Sequence, residues 1–211
     1  INSNSIFKKI QTLEFLSLIG SAAGAIGINK PILCNGANLA YRKKIFLEIN
    51  NYESDNIVSG DDVFLLHSVK KRFPNSILFA KNQDAVVLTD AVNNISNFFN
   101  QRIRWSAKSR YYKDLDSIFV ALIVFFTNFS IIILCITSCF KSEIFNQLIL
   151  LFLVKNFIDF IFLIPVLSFF NRQGLIKWIF PLQFVYPFYI TLTSIFSNFI
   201  HFNWKGRKRN V

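Results

Sequence analysis

Residues 118–140 read IFVALIVFFTNFSIIILCITSCF, 23 positions without a single charged side chain. A helix of about 20 apolar residues spans the hydrocarbon core of a bilayer, so this stretch predicts a membrane-crossing helix rather than a buried core helix. Two more stretches follow it, at 144–170 and 179–204, joined by the short polar segments 141–143 and 171–177. Connections this brief predict a tight antiparallel bundle.

The chain in front of these spans has a different character. Of the 23 basic residues, 15 precede Ser117 against 10 acidic ones, so the front segment carries +5 of the net +11. Its aromatic residues lie in apolar runs rather than between the cations, which argues against a nucleic-acid face and for anionic lipid head groups or a phosphate-bearing substrate. Lys108, Arg110 and Lys113 stand just before the first span and place the front segment in the cytoplasm by the positive-inside rule. Three crossings would then carry the basic tail, residues 205–211, to the outer side against the same rule. The third stretch, with Pro181 and Pro187, is the one expected to be interfacial or re-entrant.

The front segment, residues 1–113, predicts an α/β domain. Helical spacing marks 8–19, 42–49 and 95–113, and short β-branched or apolar runs at 75–80 and 85–89 predict strands. The apolar stretch LEFLSLIGSAAGAIGI, residues 13–28, is broken by small residues and Glu14 and reads as part of this domain. The absence of an initiating methionine suggests the C-terminal portion of a longer protein. Cys34, Cys135, Cys139, His67 and His201 are too scattered to form a metal site.

Three segments could carry chemistry. In SGDDVFLLH, residues 59–67, Ser59 and Asp62 suit a helix cap, yet Asp61 and Asp62 diverge by about 100° on a helix and cannot both serve it. In NQRIRWSAK, residues 100–108, Gln101, Arg104, Trp105 and Lys108 share one helix face opposite Ile95, Phe99, Ile103 and Ala107. Arginine suits phosphate and an indole suits the apolar face of a sugar, although a juxtamembrane helix resting on lipid would look similar. In CNGANLAYRKK, residues 34–44, Gly36 and Ala37 would let a ligand approach the backbone, and Asn38 could donate to it. Asp114 and Asp116 read as a solvated boundary of the first span. Lys155 and Asp159, one turn apart inside the second, either pair with each other or line a polar path.

The order of these segments is more specific than any one of them. G-A-N, then S-G-D-D, then Q-x-x-R-W shortly before the spans resembles the C-terminal half of membrane-bound family 2 glycosyltransferases, the relatives of cellulose, hyaluronan and chitin-type synthases. The resemblance implies the C-terminal part of a cytoplasmic GT-A (Rossmann-like) domain followed by a transmembrane helical bundle at 114–204. It implies an inverting transfer of a sugar from a nucleotide-sugar donor to a hydroxyl of a glycan or lipid acceptor at the cell membrane. Asp62 would be the general base, with Asp61, Gly36, Ala37, Asn38, Gln101, Arg104 and Trp105 binding substrate. A divalent cation, Mg or Mn, is expected for the full-length enzyme, with ligands outside this chain. The family's donor-side D-x-D has no counterpart here, so the fragment alone is expected to be inactive. The alternative is a non-catalytic multi-pass membrane subunit or transporter.

Overall fold

The computed structural model describes residues 5–49, 61–199, 202–204 and 207–209. Seven α-helices follow one another among them: α1 (Ile6–Gly27), α2 (Lys43–Glu48), α3 (Asp61–Arg72), α4 (Ile95–Ala107), α5 (Leu115–Ser138), α6 (Phe145–Phe169) and α7 (Ile179–Phe196). A short antiparallel ribbon, β1 (Phe202–Trp204) with β2 (Arg207–Arg209), closes the chain.

The expected α/β domain is absent; the fold of the described residues is helical. In the runs expected at 75–80 and 85–89, Asn75 is a turn residue and Ala85 ends the 3-10 turn Gln83–Ala85, the rest lie outside helices and strands, and neither run joins a sheet. Their side chains suit a strand, but a strand also needs a neighbouring backbone to complete its ladder, and among the described residues none pairs with them. Leu78 and Leu88 are accordingly exposed. The stretch expected to be one helix over 95–113 divides into α4 and a 3-10 turn, Lys108–Tyr111.

Asn94 caps α4 by accepting from the Asn97 amide, and Asp114 caps α5 by accepting from Ser117. On α5 and α6 the large apolar residues face outward: Phe126, Leu150 and Phe157 are each more than half exposed. Water would not tolerate that belt, and lipid would, so the protein is a membrane protein. Among the described residues four helical segments are long and apolar enough to cross, namely Ile6–Gly27, Leu115–Ser138, Ser142–Phe169 and Gln173–Phe196. The first of these is α1, wider in apolar character than its reading as domain core allowed.

The interior is small and lies where α1 meets α6 and the turn before α7. Leu13, Leu16, Leu163, Leu167, Leu175 and Ile179 form it, with Leu167 and Ile179 fully buried. Burying each such side chain stabilises by about 1.5–3 kcal/mol. Inside α6, Lys155 donates to Asp159 at 2.7 Å and to the side-chain Oε1 of Gln183 on α7, and Gln183 Nε2 donates to Asp159 Oδ2 at 2.6 Å. Each polar group in this triad thus finds partners within the bundle, the arrangement that makes charge tolerable there.

Candidate active site

The three segments singled out in the sequence meet at Asp62. This residue is in the first turn of α3, whose side chains Val63 to Leu66 are buried and fix the helix against the front segment. Ser59, the expected cap, lies outside the described residues. Asp62 does not cap the helix at a distance: Oδ1 accepts from the next amide, Val63, at 2.9 Å, and Oδ2 accepts from the Gly36 amide at 3.0 Å. A Cβ on residue 36 would stand 3.4 Å from that oxygen, an ordinary van der Waals contact, so the bond rests on the backbone amide and not on the absence of a side chain.

Gly36 stands in the 3-10 turn Gly36–Asn38, held by Asn35, whose Oδ1 accepts from the Ala37 amide at 3.0 Å. Cys34 ties the same segment to α3 through its thiol, which donates to the Asp62 carbonyl at 3.2 Å. Burial, reinforced by the Asp62 charge and opposed by Lys108, pushes that thiol up to about 12, so it remains protonated and serves as a donor.

Cations approach from α4. The Lys108 ammonium is 3.7 Å from Asp62 Oδ1 and mostly shielded from solvent. Arg104 is desolvated, which lowers its pKa from the ordinary arginine value, while the Asp62 charge favours its ionised form. The carboxylate therefore faces a partly buried positive field from one side and a backbone amide from the other.

The remaining expected residues divide. Ala37 and Asn38 line an apolar cavity of about 520 Å³ between α1, α3 and the segment 76–89, with Phe15 and Leu66 in its walls. The Asn38 amide, expected to hold a ligand, instead donates to the Ala85 carbonyl at 2.5 Å and fixes the loop. Gln101 accepts from Arg102, and Trp105 packs on Phe15 and Arg102. Asp61 is exposed at the start of α3.

Reasoning from sequence passed over Arg102 and gave Lys108 no role at the carboxylate. Glu14 offered the missing signal: a lone carboxylate in an apolar helix demands a buried partner, and Arg102 supplies it.

Among the described residues no three His, Cys, Asp or Glu side chains gather in a way that could hold a metal ion. Asp62 already neighbours two cationic side chains, an environment that disfavours a third positive charge. Asp114 and Asp116 both bind Lys70, at 2.7 Å, rather than presenting two open carboxylates. The divalent cation expected for the full-length enzyme would take its ligands outside this chain, so these residues do not bear on it. Comparison with known proteins brings no match to any family model, any curated protein or any solved structure.

Proposed function

We propose that the chain is part of an inverting glycosyltransferase that moves a sugar from a nucleotide-sugar donor to a hydroxyl of a glycan or lipid acceptor, on the cytoplasmic side of a cell membrane. One observation supports the reading above the others: Asp62 Oδ2 accepts from Gly36 while Lys108 stands at Oδ1, joining three segments far apart in sequence around one carboxylate.

The chemistry these residues would supply is direct. An acceptor hydroxyl is a weak nucleophile until a carboxylate within hydrogen-bond reach takes its proton. Asp62 would receive that proton as the acceptor oxygen bonds to the anomeric carbon. The bond from that carbon to the diphosphate breaks, and its electron pair leaves with the nucleoside diphosphate. Arg104 and Lys108 offer positive charge to the departing phosphates, in a setting where burial strengthens the attraction. The Gly36 amide holds the carboxylate in one orientation, and the Gln101 and Trp105 face of α4 would receive the sugar.

The test is Asp62→Asn in the whole protein, assayed in membranes with a panel of radiolabelled UDP- and GDP-sugars. Loss of the base should lower transfer by about 10²–10⁴-fold with protein levels unchanged. Undiminished transfer by the variant, or no transfer by the wild type from any donor in the panel, overturns the assignment.

A further inference from the structure

We infer that Arg102 and Glu14 are positioning residues that fix the side chains of Gln101 and Trp105, a role that rests on the transfer reading above. Arg102 is 6% exposed and Glu14 5%. The guanidinium grips the carboxylate with two parallel bonds, Nε to Oε1 at 2.9 Å and Nη2 to Oε2. The Tyr189 hydroxyl donates to Oε1 as well, at 3.1 Å. Three helices, α1, α4 and α7, are therefore joined at one ion pair.

The other capacities of the guanidinium are turned toward the site. Its Nη1 donates to the Gln101 side-chain oxygen, which leaves the amide hydrogens of Gln101 outside this bond. Its carbon lies 4.3 Å from the Trp105 ring centroid and 4.5 Å from that of Phe98. Trp105 is contacted on another side by Phe15, the residue next to Glu14, at 6.1 Å between centroids. One side chain thus orients both the amide and the indole of the helix face assigned to substrate.

Stability alone gives no reason for this choice. A buried ion pair replaced by apolar residues of similar volume is commonly as stable or more so, because desolvation offsets the Coulomb attraction. A leucine pair could not direct a hydrogen bond at Gln101 or present a flat cation to an indole. Lysine could keep the charge but has neither the plane nor the fork.

The experiment uses the full-length protein purified in detergent, with Trp178→Phe and Trp204→Phe, and with every tryptophan outside this chain replaced by Phe, so that Trp105 alone reports. Arg102→Lys should raise acrylamide quenching of Trp105 by roughly twofold and raise acceptor KM by about tenfold, with kcat at saturating acceptor changing far less. A Glu14→Leu/Arg102→Leu double variant preserves packing and should show both losses while melting at the wild-type temperature. Wild-type quenching and KM in either variant overturn the inference. Quenching does not depend on sugar transfer, so the two readings fail separately. Altered quenching in a protein that transfers no sugar removes the transfer reading and the substrate role with it. Unaltered quenching in an active protein removes only the positioning role.

Discussion

His67 shows how a single side chain outside the candidate site is set by its surroundings. Its Nε2 lies 3.2 Å from the Ile32 carbonyl and 3.0 Å from the Ser117 hydroxyl, and its ring meets the Tyr112 edge at 5.1 Å. Burial lowers its pKa from the ordinary value; the Ile32 carbonyl and Asp114 pull it back, and Lys70 adds to the lowering. A folded-state pKa below the unfolded one, about 6.5, means that the unfolded chain takes the proton first as pH falls. The neutral imidazole therefore contributes its full stability above about pH 6.5 and loses it as pH drops toward and through the folded pKa. Melting of the detergent-solubilised protein should fall between pH 7.5 and 5, and His67→Gln should flatten that slope; an equal slope in the variant would show that other groups cause it. The meeting of Asp62, Gly36 and Arg104 was foreshadowed by the order and spacing of their segments. The bond from Asn38 to the Ala85 carbonyl was not legible, because its partner is a backbone atom 47 residues away that no side-chain pattern marks.

Elements were legible where their own periodicity decides them and illegible where a neighbour does. The spans at 118–140 and 144–170 return as α5 and α6 with small shifts, because an uncharged run this long has little alternative. The runs at 75–80 and 85–89 have β-like residues without a β-ladder, since pairing belongs to two segments at once. The pairing of α1 with α6 was equally hidden, and it turns on Gly20. A Cβ on this residue would lie 2.6 Å from Val166 Cγ2, nearer than real contacts allow, and 3.1 Å from Phe162, a tight contact. Val166 is β-branched and has little freedom to turn aside on a helix. Gly20→Ala should thus cost about 1–3 kcal/mol through overpacking, partly offset by a gain of roughly 1 kcal/mol in helix propensity. Thermal unfolding in detergent should show the net loss, and Val166→Ala should restore stability in the double variant. Equal additivity of the two single changes would show that they do not meet.

At the scale of the whole molecule, the contacts between helix ends dissolve the conflict that charge counting raised. The start of α5 is tied to the front segment through Ser117 and Ile32 at 3.1 Å and through Lys70 and Asp114. The end of α6 returns there, where Gln83 donates to the Phe169 carbonyl. The end of α7 does the same: Ser106 bonds Ser197 at 3.1 Å, Arg110 bonds Asn198 at 3.0 Å, and β1 lies against α4. In this arrangement α5 and α6 form a hairpin whose turn is the far point, and α7 begins and ends on the near side. Its proline at 187 lies inside the helix and fully buried, a residue suited to an oblique path against neighbours rather than a straight crossing. The strand β2 (Arg207–Arg209), paired with β1, is then on the side of Lys108, Arg110 and Lys113, in line with the positive-inside rule, while the far turn carries Lys141 and Glu143, which cancel. Cys139, exposed at that turn, should react with a membrane-impermeant maleimide only from the outer face of intact cells. A tag on the C-terminus should be digested only from the cytoplasmic face of inverted vesicles. If label and digestion occur from the same face, α7 crosses the bilayer and the contacts between its end and α4 do not exist in the membrane.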